Sequence, residues 1–83
     1  MFTVLPLFKN WRVMIYPNDH RPPHVHVIGT DEEARFELLC DLVNVKLMTN
    51  VGFSQNQLNQ VQTYLLLNLT HLCNEWGRIH GYT

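Results

Sequence analysis

The chain has 83 residues, with six Lys and Arg against seven Asp and Glu and a formal charge of −1. A chain of this length makes one domain, without room for separate catalytic and binding lobes, and buries only about 60% of its unfolded surface, so a partner or a second copy is expected to add stability. The near-zero charge argues against the basic footprint of a non-specific nucleic-acid binder, and no apolar run approaches the ~20 residues needed to span a bilayer.

Phe2 to Phe8 reads as an edge strand interrupted by Pro6, since proline cannot donate to a sheet ladder. Trp11 to Tyr16 is rich in β-branched and aromatic residues and stops at Pro17-Asn18-Asp19, where a fixed φ and an Asx-turn former favour a bend. His24 to Ile28 forms the next strand and ends at Gly29-Thr30-Asp31. Ala34, Phe36, Leu38 and Cys40 then alternate with Arg35, Glu37 and Leu39, the period of a strand with one buried face. Val43, Val45 and Leu47 alternate with Asn44, Lys46 and Met48, and the short Asp41-Leu42 interval makes these last two strands a hairpin.

The helix start is written most clearly. Ser54-Gln55-Asn56-Gln57 is a capping box, flanked by Phe53 and Leu58 at the hydrophobic-staple positions. Leu58, Val61, Leu65, Leu69, Leu72 and Trp76 fall on one face at about 100° per residue, widened by Leu66 and Cys73. Gly77 is an available stop, with Arg78-Ile79-His80 able to add a turn. The prediction is an α+β domain spanning 1–83. It has a small, mostly antiparallel sheet of three to four strands within 2–48, packed against one long C-terminal helix over about 54–76.

Tyr64 and Leu67 point away from that seam, among Gln60, Thr63, His71 and Asn74. They are either ordinary surface hydrophobes or, with His71, the contact for a second copy or protein partner. Cys40 and Cys73 lack C-x-x-C spacing and read as small core residues, with a bridge between them left open. No charged segment followed by a cleavable apolar stretch opens the chain, so a cytoplasmic location is expected.

The densest chemistry lies in Asn18-Asp19-His20-Arg21-Pro22-Pro23-His24-Val25-His26-Val27. His24 and His26 are two apart on a strand and leave the same face, the way an H-x-H strand offers two ligands to zinc. His20 is the third candidate ligand. Extended Pro-rich chain at about 3.1 Å per residue would hold it roughly 12 Å from His24. It joins only if the Pro17-Asn18-Asp19 turn, or a cis bond at Pro22 or Pro23, folds the chain back. Asp19 is placed to orient an imidazole through its second nitrogen, and Glu32 and Glu37 lie near in sequence. Three readings stay open: a rigid lead into the strand with imidazoles bonded to backbone, a metal site on His20, His24 and His26, and a metal-free acid–base or anion site on His24, His26 and Asp19.

These residues resemble a family of small bacterial proteins known as domain of unknown function 4160. The resemblance rests on the Met1-Phe2-Thr3-Val4 opening, the Asp19-His20-Arg21-Pro22-Pro23-His24-Val25-His26 signature, Ala34-Arg35-Phe36, Gly52-Phe53-Ser54 and a closing helix with Trp76. It implies no established activity. Members are often encoded beside another small domain, which has prompted toxin–antitoxin proposals, and their helices usually carry more Arg, Lys and Glu than this one. The leading expectation is a non-enzymatic protein-binding module of such a two-gene system, working with a neighbouring gene product or as a homodimer. The alternative is a small metal-binding protein or a His-dependent hydrolase or ribonuclease-like protein, with a divalent ion such as zinc as its only candidate cofactor.

Overall fold

A computed structural model of the chain describes residues 2–8, as backbone, and residues 10–81. Met1 of the amino-terminal opening lies outside the described residues. Five strands follow one another in space as in sequence: β1 (Phe2–Phe8), β2 (Trp11–Ile15), β3 (His24–Ile28), β4 (Glu33–Leu39) and β5 (Asn44–Val51). Every neighbouring pair is antiparallel. Four of them, β2 to β5, carry the described core, and β1 adds an edge whose register shifts between Thr3 and Leu5 and again between Leu5 and Phe8, the stretch that holds Pro6. The missing N–H of proline is tolerated there because an edge strand leaves one side of its ladder unpaired.

One face of the sheet is apolar because alternate residues project to it. Trp11, Val13 and Ile15 of β2, Val25 and Val27 of β3, and Ala34, Phe36 and Leu38 of β4 are all buried beneath the helices. Trp11 meets Phe53 edge to face at 5.2 Å between ring centres, closing the core at the helix start. β3 is the central strand and is covered on both sides, which puts His24 and His26 in the interior although they belong to the face away from the helices.

The expected single helix is two. α1 (Gln55–Leu67) and α2 (Leu69–His80) meet at Asn68. The capping box forms as the sequence predicts, with Gln57 N–H donating to Ser54 Oγ at 3.2 Å and Ser54 N–H to Gln57 Oε1 at 2.8 Å. At Asn68 the side-chain amide donates to the Tyr64 carbonyl at 2.9 Å and the backbone N–H turns to Leu65 at 3.1 Å. A short polar side chain that competes for backbone carbonyls ends the first helix. Apolar periodicity is blind to this, because the seam continues across the break: Leu58, Val61, Leu65, Leu69, Leu72 and Trp76 are all buried. Gly77 does not stop the helix; it is buried inside α2, and Gly81 caps the end at φ 84°. Leu66, expected to widen the seam, is exposed.

Three local expectations in the β4–β5 hairpin are corrected. Val43 is not in β5 but in the Cys40–Val43 turn, at φ 51°, and a register shift between Arg35 and Phe36 leaves Met48 as the extra residue of β5. Cys40 and Cys73 form a disulfide, with Cα atoms 6.2 Å apart, and Cys40 is exposed rather than in the core. The bridge staples the end of β4 to α2. No helix among the described residues is long and apolar enough to cross a membrane.

Two measurements test these features. Closing a loop across 33 residues restricts the unfolded chain, so replacing both cysteines by serine is expected to lower urea stability by about 3 to 4 kcal/mol. A loss under ~1 kcal/mol would show that the bridge does not constrain the fold. Val43 holds a β-branched side chain in the left-handed region while 72% exposed. Val43→Asn, which tolerates that region, is therefore expected to raise stability by about 1 kcal/mol.

Candidate metal centre

The site begins with a reciprocal pair of bonds at the end of β2. Asp19 N–H donates to the Tyr16 carbonyl at 3.0 Å, and Tyr16 N–H donates to Asp19 Oδ2 at 3.0 Å. The Pro17-Asn18 turn between them reverses the chain and lays the Asp19 carboxylate over β3. The Arg21–Pro22 bond is cis. From there the Pro23 carbonyl accepts Leu38 N–H at 2.8 Å, which seats the start of β3 against β4.

Asp19, His24 and His26 then converge, one donor atom from each lying within 4.8 Å of the others. His24 is 7% exposed and His26 8%. Hydrogen bonding sets the His24 tautomer. Its Nδ1 lies 2.8 Å from the Pro22 carbonyl, an acceptor only, so Nδ1 carries the proton. In the neutral ring Nε2 is then a bare lone pair, and it faces Asp19 Oδ1 at 3.6 Å. His26 Nε2 lies 3.2 Å from both Asp19 oxygens, while its Nδ1 is buried without a hydrogen bond, 3.6 Å from Glu33 Oε2. Nitrogen lone pairs and carboxylate oxygens repel one another unless a proton or a cation stands between them.

A divalent ion satisfies this arrangement. Ligands about 2.1 Å from a tetrahedral ion stand about 3.4 Å apart, close to the observed separations of 3.2 and 3.6 Å. With both Nε2 atoms as ligands, each Nδ1–H has an oxygen on its far side: the Pro22 carbonyl for His24 and the Glu33 carboxylate for His26. Outer oxygens of this kind fix ring orientation in metal sites.

Around the cluster stand residues that sequence reasoning did not select. The Tyr16 ring meets His26 at 4.5 Å and Trp76 lies 5.4 Å from His24, between ring centres. His80 stacks on Trp76 at 3.8 Å and places Nε2 3.1 Å from the Tyr16 carbonyl. The last turn of α2 thus walls the site. Burial above all, then the carboxylates of Glu33 and Asp19, pushes the Tyr16 phenol above its usual range. For Asp19, burial acts to raise the carboxyl. The Tyr16 N–H, the His26 hydrogen bond and the charge of His26 and His24 outweigh it and hold the carboxyl below the usual range. Glu33 comes to the cluster through the β3–β4 register, in which Arg35, two residues on, is the cross-strand partner of His26.

The other candidates are placed differently. His20 is exposed and stands outside the converging group, though it lines an open hollow of about 280 Å³ with Asp19 and His24. The carboxylate takes the third position because the Tyr16–Asp19 bonds turn Asp19, not His20, toward the strand. Of the candidate partner residues, Tyr64 packs against the core, Leu67 is 79% exposed, and the half-exposed His71 lies 3.9 Å from Glu75 Oε1.

A five-strand antiparallel meander backed by two helices, with an Asp–His–His cluster under the loop before its central strand, defines a small α+β domain with a candidate metal site. The chain belongs to the family described as domain of unknown function DUF4160, whose profile matches residues 10–77 and so runs from β2 into α2 and takes in Asp19, His24 and His26. No curated protein and no solved structure matches the chain significantly.

Asp19→Ala leaves a buried N–H at Tyr16 and a ring nitrogen at His26 without their acceptor, and is expected to cost about 1 to 3 kcal/mol in metal-free protein at neutral pH. Because the folded carboxyl titrates below its unfolded value, the contribution is present above about pH 4 and is lost as pH falls through the lower folded value. Urea melts of both proteins between pH 3 and 7 test this. A difference already gone at about pH 5 would contradict it.

Proposed function

We propose that this domain binds one divalent transition-metal ion through Asp19, His24 and His26, with the coordination left open toward the hollow lined by His20. The observation that carries the reading is the pairing of His24 Nε2, left bare by the Nδ1 bond to Pro22, with the Asp19 carboxylate at 3.6 Å. Two imidazoles and one carboxylate are borderline ligands suited to zinc, iron or cobalt. Three protein ligands with an open position is the layout of a catalytic site rather than a structural one, in which the ion supplies a Lewis acid and an activated water. Asp19, His24 and His26 hold the ion, and Glu33 and the Pro22 carbonyl orient the rings. A hydrolytic role is the chemistry this layout favours.

Protein purified without a histidine tag, stripped with chelator and titrated with Co²⁺ or Zn²⁺ tests the proposal. One equivalent is expected, with affinity falling at least tenfold in His24→Ala and His26→Ala, by about 10- to 100-fold in Glu33→Gln, and not at all in His20→Ala. Stoichiometry below a tenth of an equivalent in folded protein would end the proposal.

A second reading, the protein-binding module of a two-gene, toxin–antitoxin-like system or a homodimer, draws support from Leu67 and from Leu42, Val43 and Val51, which are exposed large apolar residues. It predicts a sedimentation mass of two chains or a stable complex with the neighbouring gene product. A monomer that co-purifies with nothing counts against it.

A further inference from the structure

The wall of the cluster is tied down from outside the cluster. Trp76 lies 5.4 Å from the His24 ring, and His80 Nε2 is 3.1 Å from the carbonyl of Tyr16, the residue whose N–H holds Asp19 Oδ2. The last turn of α2 thereby braces the surroundings of two of the three converging side chains. α1 does not fix the direction of α2, because the helix breaks at Asn68, whose side chain gives the second helix no capping bond. What joins α2 covalently to the sheet is the bridge from Cys73, about one turn before Trp76, to Cys40 just past the end of β4.

The two sulfurs are placed unequally. Cys73 is half-buried and packs against the core, whereas Cys40 is exposed. Cys40 also lines an open hollow of about 410 Å³ with Pro23, Leu38, Leu39 and Leu42, so a thiolate has a path to it while the domain stays folded. Exposure favours exchange, because the rate depends on access to the sulfur that is attacked.

We infer that Cys40–Cys73 is a thiol–disulfide exchange site that regulates the metal centre: a dithiol opens the bridge at Cys40, and release of Cys73 loosens the wall made by Trp76 and His80. One thiolate of the dithiol attacks Cys40 Sγ, the bond between the two cysteines breaks, and Cys73 leaves as a thiolate that takes a proton. The second thiol of the reductant then attacks the mixed disulfide and frees Cys40 as a thiol. The dithiol ends as a disulfide, having supplied the two electrons and two protons of the cleavage. β2 to β5 keep their ladders and their packing on Leu58, Val61 and Leu65 of α1, so the loosening is confined to α2. The regulation rests on the metal reading above; the exchange at Cys40 does not.

The exchange site is tested on oxidised protein without denaturant. Glutathione, a monothiol, stops at the first step, and its adduct is mapped by peptide mass spectrometry after acid quenching. A mixed disulfide on Cys40 is expected, formed at a rate that rises in proportion to thiol concentration. An adduct chiefly on Cys73, or a rate that levels off with thiol because unfolding comes first, overturns the exchange site. The double variant Cys40→Ser, Cys73→Ser stands for the open state and adds no thiol ligand of its own. Stacking on Trp76 at 3.8 Å displaces the His80 ring-proton resonances upfield, and in the variant most of that displacement is expected to vanish while the amide resonances of β3 and β4 keep their positions. If the sheet resonances collapse as well, the bridge is a staple of the whole fold, and if the His80 protons stay put, the bridge does not hold the wall; either refutes the switch. Co²⁺ is expected to bind the variant about tenfold more weakly than the oxidised protein, and equal affinity refutes the link to the metal centre. If Co²⁺ binds neither form, the metal reading fails and the regulation with it, and the adduct map alone decides the exchange site.

Discussion

The Asp19 carboxylate is bonded from two directions, by the backbone N–H of Tyr16 at 3.0 Å and by the imidazole of His26 at 3.2 Å. Everything at the site depends on that double attachment. The Tyr16 bond, with its reciprocal bond from Asp19 N–H, closes the turn after β2 and sets the direction in which the Pro-rich segment leaves. The His26 bond fastens the returning loop to the central strand. A half-buried carboxylate without such partners would carry a heavy desolvation cost; with them it stays ionised and draws the imidazoles around it.

β3 explains why those imidazoles are interior. A central strand of a sheet covered on one face by helices exposes its other face unless something lies on it. Here the 17–23 loop and the end of α2 do so, leaving His24 and His26 nearly as buried as Val25 and Val27 of the same strand. Apolar side chains would fill the positions at lower cost, and polar residues at positions where local pattern favours apolar ones are a mark of functional sites. The wall on the α2 side is made of Trp76 and His80, and α2 is itself tied to the sheet by the Cys40–Cys73 bridge. The site thus joins the two layers of the domain rather than sitting on one of them.

Arg35 shows how sheet register adds to this chemistry. It lies nine residues beyond His26, and on a helix that separation would put the two on opposite faces, about 13.5 Å apart along the axis. In an antiparallel ladder it makes them neighbours, so the strand pairing places a cation beside the cluster. The same ladder sets Glu33 near the far nitrogen of His26 at 3.6 Å. Opposite charges at alternate positions of β4 thereby serve different sides of one imidazole.

The sequence by itself determined the strands, the capping box, the apolar seam and the shared face of His24 and His26, because each depends on residues within a few positions of one another. Period-two and helical alternation are local properties, and so is the Ser54–Gln57 exchange. The break at Asn68 was also local in cause, but apolar periodicity hid it because the seam runs on through Leu69. Only the tertiary structure decided that Asp19 rather than His20 meets the two imidazoles, that Glu33, Trp76 and His80 surround them, and that Cys40 reaches Cys73. Those pairings join segments whose separation along the chain is bridged by a turn, a ladder or a packed helix, and the direction of a side chain after a Pro-rich reversal follows from backbone bonds that composition does not specify.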